Sequence, residues 1–175
     1  LDPEKYKDAP NTKLDLMIEN IMAKWNETGS GQLVFCDRIN ASRGGGDGSY
    51  NLHDKIKRLL VEAGFPKDKI GVINGGTKNV KDSMTKAEAQ KLGAFIDRTC
   101  ADYNGGKLRL LIGNTACMGE GLNLQADSIA VHHFDIPYRP SDLVQRNGRV
   151  DRQGNKQLTT HIFNYSTSGT LDAYS

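Results

Sequence analysis

Much is missing from this 175-residue sequence, and each absence excludes something. No apolar run approaches the roughly 20 residues needed to span a bilayer as a helix. No charged-then-apolar leader opens the chain. The expectation is therefore a protein without a membrane partner. The three cysteines, Cys36, Cys100 and Cys117, are odd in number, scattered, and follow no CxxC spacing. Such a set favours reduced thiols in a cytoplasm-like compartment over a disulfide frame or a zinc site. A formal charge of only +2 means that any affinity for nucleic acid must come from local patches. There is no GxxxxGK[ST] loop to wrap a nucleotide's phosphates and no acidic DExx run after a strand to hold magnesium. Gly44-Gly45-Gly46-Asp47-Gly48 follows a strand but has no lysine and Ser/Thr at its end, and reads as a flexible connection.

What remains is ordinary globular material, with 37% hydrophobic and 25% charged residues. Its length suits one domain with a real core, spanning residues 1–175, of which 1–11 read as an extension or linker. The chain starts on Leu1 and stops at LDAYS in what reads as a starting helix, so the expectation is a piece of a longer protein. Asn11 and Thr12 supply a helix start, followed by Leu14, Met17, Ile18, Ile21, Met22 and Trp25 at helical spacing. QLVFCD (32–37) is a short apolar run that predicts a buried strand. ASRGGGDGSYN (41–51) predicts a loop, and Leu52, Ile56, Leu59, Leu60 and Ala63 a helix closed near Gly64. KIGVIN (69–74) predicts a second strand. Thr85 and Glu88 make a capping box before a helix with apolar face Leu92, Phe95, Ile96, Cys100 and Tyr103. Further strands follow at GGKLRLLIG, SIAVHHF and LTTHIFNY, with a short helix capped by Ser141 between the last two.

Strands that alternate with helices, and that are apolar throughout, predict a mostly parallel sheet covered on both faces. Ligands in such α/β sheets sit beyond the carboxyl ends of the strands. The loops after Asp37, Asn74, Gly113 and Phe134 are therefore the ones to watch.

One of them leads into DLVQRNGRVDRQGN, residues 142–155, which gathers three arginines in a nearly neutral chain. On a helix capped by Ser141, Gln145, Arg149 and Arg152 fall at i, i+4 and i+7, on one face. Gly148 leaves that face open to close approach. Parallel cation and amide donors suit a phosphate chain. The plainer alternative is a solvated helix end whose arginines answer its dipole.

The run Gln145-Arg-Asn-Gly148-Arg149-Val-Asp-Arg152 resembles the QxxGRxxR signature, motif VI, of superfamily 2 helicases and translocases. Thr115-Ala-Cys-Met-Gly119-Glu-Gly121-Leu-Asn123-Leu-Gln125 resembles their motif V, and QLVFCD their motif IV strand. Together with NTKLDLMIENIMAKW, HHFDIPYRPSDLVQRNGRVDRQGN and GTLDAYS, these are most similar to the Swi/Snf-like helicase portion of phage and mobile-element DNA methylase-helicase proteins. The likeness runs from about Asn11 to the C-terminus.

That resemblance implies the second RecA-like lobe, a three-layer α/β domain of the P-loop NTPase kind. ATP and Mg2+ would lie in a cleft held mainly by an N-terminal lobe, to which this lobe supplies arginine fingers. By resemblance the fingers are Arg149 and Arg152, with Gln145 orienting the nucleotide. Gly121 and Asn123 would face the nucleotide, and Asn114, Thr115 and Arg38 the DNA. For Asn114 and Arg38 a loop-structuring role stands equally open. This motif V carries Cys117-Met118 and Glu120 where remodellers often have an arginine. Implied partners are the N-terminal lobe, DNA and a fused or associated DNA methyltransferase. Alone, lacking both the phosphate loop and the magnesium carboxylate, the chain should not hydrolyse ATP.

Other features read more plainly. Adjacent His132 and His133 on a strand point to opposite faces, and no second pair at metal spacing accompanies them. Cys117 has no assignable base and reads as a small loop residue. Asp142 suits a helix start. Thr77, Lys78, Lys81 and Lys86 form a weak basic edge, more simply a solvated surface. Two rival readings remain: a non-catalytic RecA-like module that binds DNA or protein, and a free-standing nucleotide-dependent enzyme.

Overall fold

The computed structural model describes residues 12–38, 40–42, 49–73, 85–118, 122, 124, 126–151 and 153–167, with only the backbone at 40–42 and 49–50. Helix α1 (Lys13–Thr28) begins at a complete capping box, in which Thr12 and Asp15 satisfy each other's amides, and ends where Gly29 turns left-handed at φ 64°. Its buried residues Met17, Ile18 and Ile21 are those the periodicity picks out. Strand β1 (Gly31–Phe35) is buried at every position. Helix α2 (Leu52–Glu62) closes at Ala63, with Gly64 at φ 102° immediately after it. There Gly64 N–H donates to Val61 O and Phe65 N–H to Leu60 O, satisfying carbonyls of the last turn.

Strands β4 (Ile70–Ile73), β5 (Leu110–Gly113), β6 (Ser128–His133) and β7 (His161–Asn164) join β1 in one sheet, ordered β4-β5-β1-β6-β7. Every neighbouring pair in it is parallel. From β1 in the middle the chain runs to one edge, returns through β5, and crosses β1 to reach β6. This is the expected mostly parallel α/β sheet.

Helix α3 (Lys86–Asn104) starts at the expected Thr85–Glu88 box. Its burial is less than the apolar pattern suggests: Thr99, Cys100 and Tyr103 are buried, whereas Phe95 is 49% exposed. Two short elements, α4 (Thr115–Met118) and α5 (Pro140–Asn147), complete the helices named below.

Two layers of core follow from the period-2 alternation of strand side chains. Val34, Cys36, Leu110 and Ile112 pack against α1 and α2. Leu33, Phe35, Leu111 and Val131 pack against Cys100, Tyr103, Cys117, Met118 and Val150. Because both faces are covered, β1, β5 and β6 are buried at every position, whereas β7 at the edge alternates between half-buried and exposed residues. Gly31 shows how tight the α3 side is: a Cβ there would sit 2.5 Å from the Tyr103 hydroxyl and 2.8 Å from the Asp127 carbonyl.

The segment read as a glycine loop differs from expectation. Asn40–Ser42 and Ser49–Asn51 form an antiparallel ribbon, β2–β3. Glycine composition concealed the two short strands that flank the tip, and the tip itself, 43–48, lies outside the described residues.

One polar network crosses the α1 core. His132 Nε2–H donates to Gln32 Oε1 at 2.9 Å, and His132 Nδ1 accepts from the Tyr165 hydroxyl at 2.8 Å. Gln32 Nε2 in turn donates to Ile21 O, and Asn20 Nδ2 donates to Tyr165 Oη. A neutral imidazole with its proton on Nε2 fits these partners, leaving Nδ1 to accept from the Tyr165 hydroxyl. Burial depresses the His132 pKa to about 3.

Candidate functional site

The carboxyl ends of β1, β5 and β6 lie side by side, where the strand order reverses. Each is followed by a polar residue: Asp37, Asn114 and Asp135. Asp37 Oδ1 accepts from the Thr115 amide at 2.7 Å and from the Thr115 hydroxyl at 2.8 Å. Its Oδ2 accepts from Arg146 Nη2 at 2.6 Å. Asp135 Oδ2 accepts from the amides of Asp37 and Arg38, at 3.0 and 3.1 Å, and so ties the loop after β1 to the loop after β6.

Arg146 is fully buried, at 0% exposure. Beyond Asp37, it donates from Nη1 to Asp135 O at 2.7 Å and from Nε to Thr115 Oγ1 at 3.0 Å, and its guanidinium lies 5.0 Å from the Phe35 ring centroid. Burial pulls its pKa down, and Asp37, Asp135 and Asp142 oppose that pull. Behind it, His133 Nε2–H donates to Asn147 Oδ1 at 2.7 Å. Burial holds His133 near a pKa of about 4.

Helix α5 begins otherwise than expected. Its N-cap is Arg139, which makes no side-chain cap, and Pro140 stands at the first helical position. Ser141 is thus inside the helix, and Asp142 lies in its first turn, where a carboxylate suits the positive end of the dipole. The helix also ends early. Gly148 is its C-cap, and the next residues continue as turns through Arg149 N–H to Arg146 O and Val150 N–H to Asn147 O. Val150, at 1% exposure, anchors this turn in the α3-side core. Gln145 and Arg149 therefore do not share one helical face. Gln145 is on the helix and exposed; Arg149 is on the turn and half-buried.

Arg149 Nη1 donates to the Leu122 carbonyl at 2.6 Å, joining the 145–152 run to the 115–125 run. Arg152, Gly121 and Asn123 lie outside the described residues, as do Gly119, Glu120 and the Gly44–Gly48 loop. Asn114 is buried at 4% exposure, and its Oδ1 accepts from Cys117 N–H at 3.0 Å, which makes it the cap of α4. Thr115 is committed to Asp37 and Arg146. Arg38 is exposed beside them. The structure thus brings Arg38, Asn114, Thr115 and Arg149 to one end of the sheet. Asn155 fastens the far end of the arginine run, donating to the carbonyls of Ser128 and Val150 at 2.8 Å each.

The sequence reading missed Arg146 and Asp37. One signal was available: Leu143, Arg146 and Val150 fall at i, i+3 and i+7, so Arg146 lies on the apolar stripe and not on the polar face. Among the described residues there is no group of three His, Cys, Asp or Glu side chains able to hold a metal ion, and no helix long and apolar enough to cross a membrane. The three cysteines are buried.

A parallel five-stranded sheet flanked by helices, with paired polar runs at its carboxyl end, is a RecA-like domain. The chain belongs to the helicase conserved C-terminal domain family, whose profile matches residues 12–154. It is similar to the C-terminal part of the Fun30 ATPase domain, with a TM-score of 0.63 at 18% identity, covering 99% of this chain and 46% of that one. It is also similar to the Pyrococcus furiosus Hef helicase domain, with a TM-score of 0.55 at 20% identity, covering 94% of this chain and 28% of that one. At these identities the likeness concerns fold alone.

Among sequences, Defense against restriction protein B of Escherichia phage P1 is 25% identical, over 70% of this chain and 7% of that protein. The uncharacterized ATP-dependent helicase YqhH of Bacillus subtilis (strain 168) is 38% identical over 42% of this chain and 13% of that protein. The chain thus spans a small part of the length of either relative.

Proposed function

We propose that this chain is the second motor lobe of an ATP-dependent DNA helicase or translocase of the Swi/Snf-like kind, from a phage or mobile element. Its ATP site would be completed by an N-terminal RecA-like lobe. The observation that carries the reading is the bond from Arg149 to the Leu122 carbonyl, which sets a guanidinium of the arginine run against the 115–125 loop beyond the sheet's carboxyl end. Family membership and the similarity to a phage protein support it.

The described residues fit ATP in one respect only: they offer guanidinium and amide donors, Arg149 and Gln145, and no phosphate cradle. The triphosphate and Mg2+ are assigned to the other lobe. When bound, the nucleotide supplies the phosphoryl group whose transfer drives movement. Arg149 and Arg152 stabilise the charge that spreads over that group, a contribution of about 10³–10⁵ in rate for such fingers. Gln145 orients the nucleotide, and Gly121 and Asn123 line it.

At the neighbouring loops Arg38 offers an outward cation to a DNA phosphate. Asn114 and Thr115 shape the corner through which that grip is transmitted. A DNA methyltransferase, fused or associated, fits the same family reading.

The test joins this lobe to its N-terminal partner and measures ATP hydrolysis with and without duplex DNA. Stimulated hydrolysis, abolished by Arg152→Ala with the fold intact by circular dichroism, is the expected result. Full activity in that variant refutes the arginine assignment. A two-lobe protein with no hydrolysis at all favours a non-catalytic binding module.

A further inference from the structure

Arg146 and Asp37 are outside the roles assigned above, yet they make the densest polar contacts at this end of the sheet. We infer that they form a positioning pin that couples the loop bearing Arg38 to the turn bearing Arg149, so that DNA contact at one is transmitted as ATP turnover at the other. The inference rests on the motor reading and deepens it.

The geometry runs through bonded neighbours. Asp37 directly precedes Arg38, and both of their amides are fixed on Asp135 Oδ2. One Asp37 oxygen receives both donors of Thr115, the first residue of α4, which leads into the 115–125 loop. The other oxygen receives Arg146, whose carbonyl accepts the Arg149 amide at 3.1 Å. Three loops thus share one carboxylate.

Exposure along the pair is one-sided: the Asp37 side chain is 42% exposed and the Arg146 side chain 0%. The open end is the residue directly before Arg38, and the sealed end is a guanidinium held by Thr115 and Asp135 on the helix that leads into the Arg149 turn. Connected polar networks of this kind carry energetic coupling when both sites bias the same arrangement. A pair that merely stabilised the fold would leave the two activities in their original ratio.

Asp37→Asn tests this with little change of shape. An asparagine has one acceptor oxygen and one amino group, so whichever way it turns an N–H meets either Thr115 N–H or the Arg146 guanidinium. In the two-lobe protein, steady-state ATP hydrolysis is measured with and without duplex DNA for wild type, Asp37→Asn and Arg146→Lys. The DNA-stimulated kcat is expected to fall about tenfold in both variants, with the DNA-independent rate and the KM for ATP held within about twofold. Equal loss of both rates marks a structural pair only and overturns the inference, as does unchanged stimulation. Arg146→Lys retains the charge, so it keeps the test decisive if Asp37→Asn folds poorly. Wild-type protein without DNA-stimulated hydrolysis refutes the motor reading and this inference together. Normal stimulation in wild type and both variants refutes the inference alone.

Discussion

Asp37 and Arg146 are separated by 109 positions in the chain and by 2.6 Å in space. The arginine is withdrawn from water, and its guanidinium is satisfied only because β1, β5 and β6 end level with one another. Removing it leaves a carboxylate, a carbonyl and a hydroxyl that were arranged around a cation.

Arg146→Leu is therefore expected to lower stability by about 3 kcal/mol, at the lower end for a broken buried pair because Asp37 still reaches water. Urea unfolding of the isolated chain measures it. A loss below about 1 kcal/mol would mean that the pair contributes no more than a surface salt bridge.

Stability should also fall as pH is lowered through the range where unfolded histidine titrates. His132 and His133 have folded pKa values of about 3 and about 4, against about 6.5 when unfolded. The unfolded chain thus binds two more protons between those limits, so the stability present above pH 6.5 is lost towards pH 4. Between pH 7 and 5 each histidine accounts for about 2 kcal/mol. His132→Gln is expected to reduce the pH dependence by about one proton. An unchanged slope would show that His132 is protonated in the folded state.

Arg38 and Asn114 separate by readout. Arg38→Ala in the two-lobe protein is expected to weaken DNA binding regardless of sequence and to lower the salt slope by about one, as loss of a phosphate contact does. Asn114→Ala is expected to cost about 1 kcal/mol of stability through loss of the α4 cap. Salt titration of DNA affinity and thermal unfolding read the two effects, and a DNA defect without a stability defect in Asn114→Ala would reverse its assignment.

Much of the fold was legible because it rests on local rules. The apolar runs at 32–37, 69–74 and 128–134 declared strands covered on both faces. The Thr85–Glu88 box marked a helix start whose bonds are satisfied within four residues. Other features depended on neighbours distant in sequence. Phe95 lies on the expected apolar stripe of α3, yet it stays 49% exposed, since burial needs a partner as well as a pattern. Ser141 had the chemistry of a cap, but Pro140 can occupy the first helical position without a missing bond and moved the start forward. The β2–β3 ribbon was hidden because cross-strand pairing, not composition, defines it.

By itself the sequence determined the alternation of strands and helices, hence the parallel sheet and the end at which its polar loops gather. It also brought glutamine and arginines together in one short run. Only the tertiary structure decided what the inward arginine meets. Neighbouring residues on a short helix are turned about 100° apart, so the buried contact of Arg146 with Asp37 leaves the adjacent Gln145 exposed. That contact exists only after the sheet has assembled.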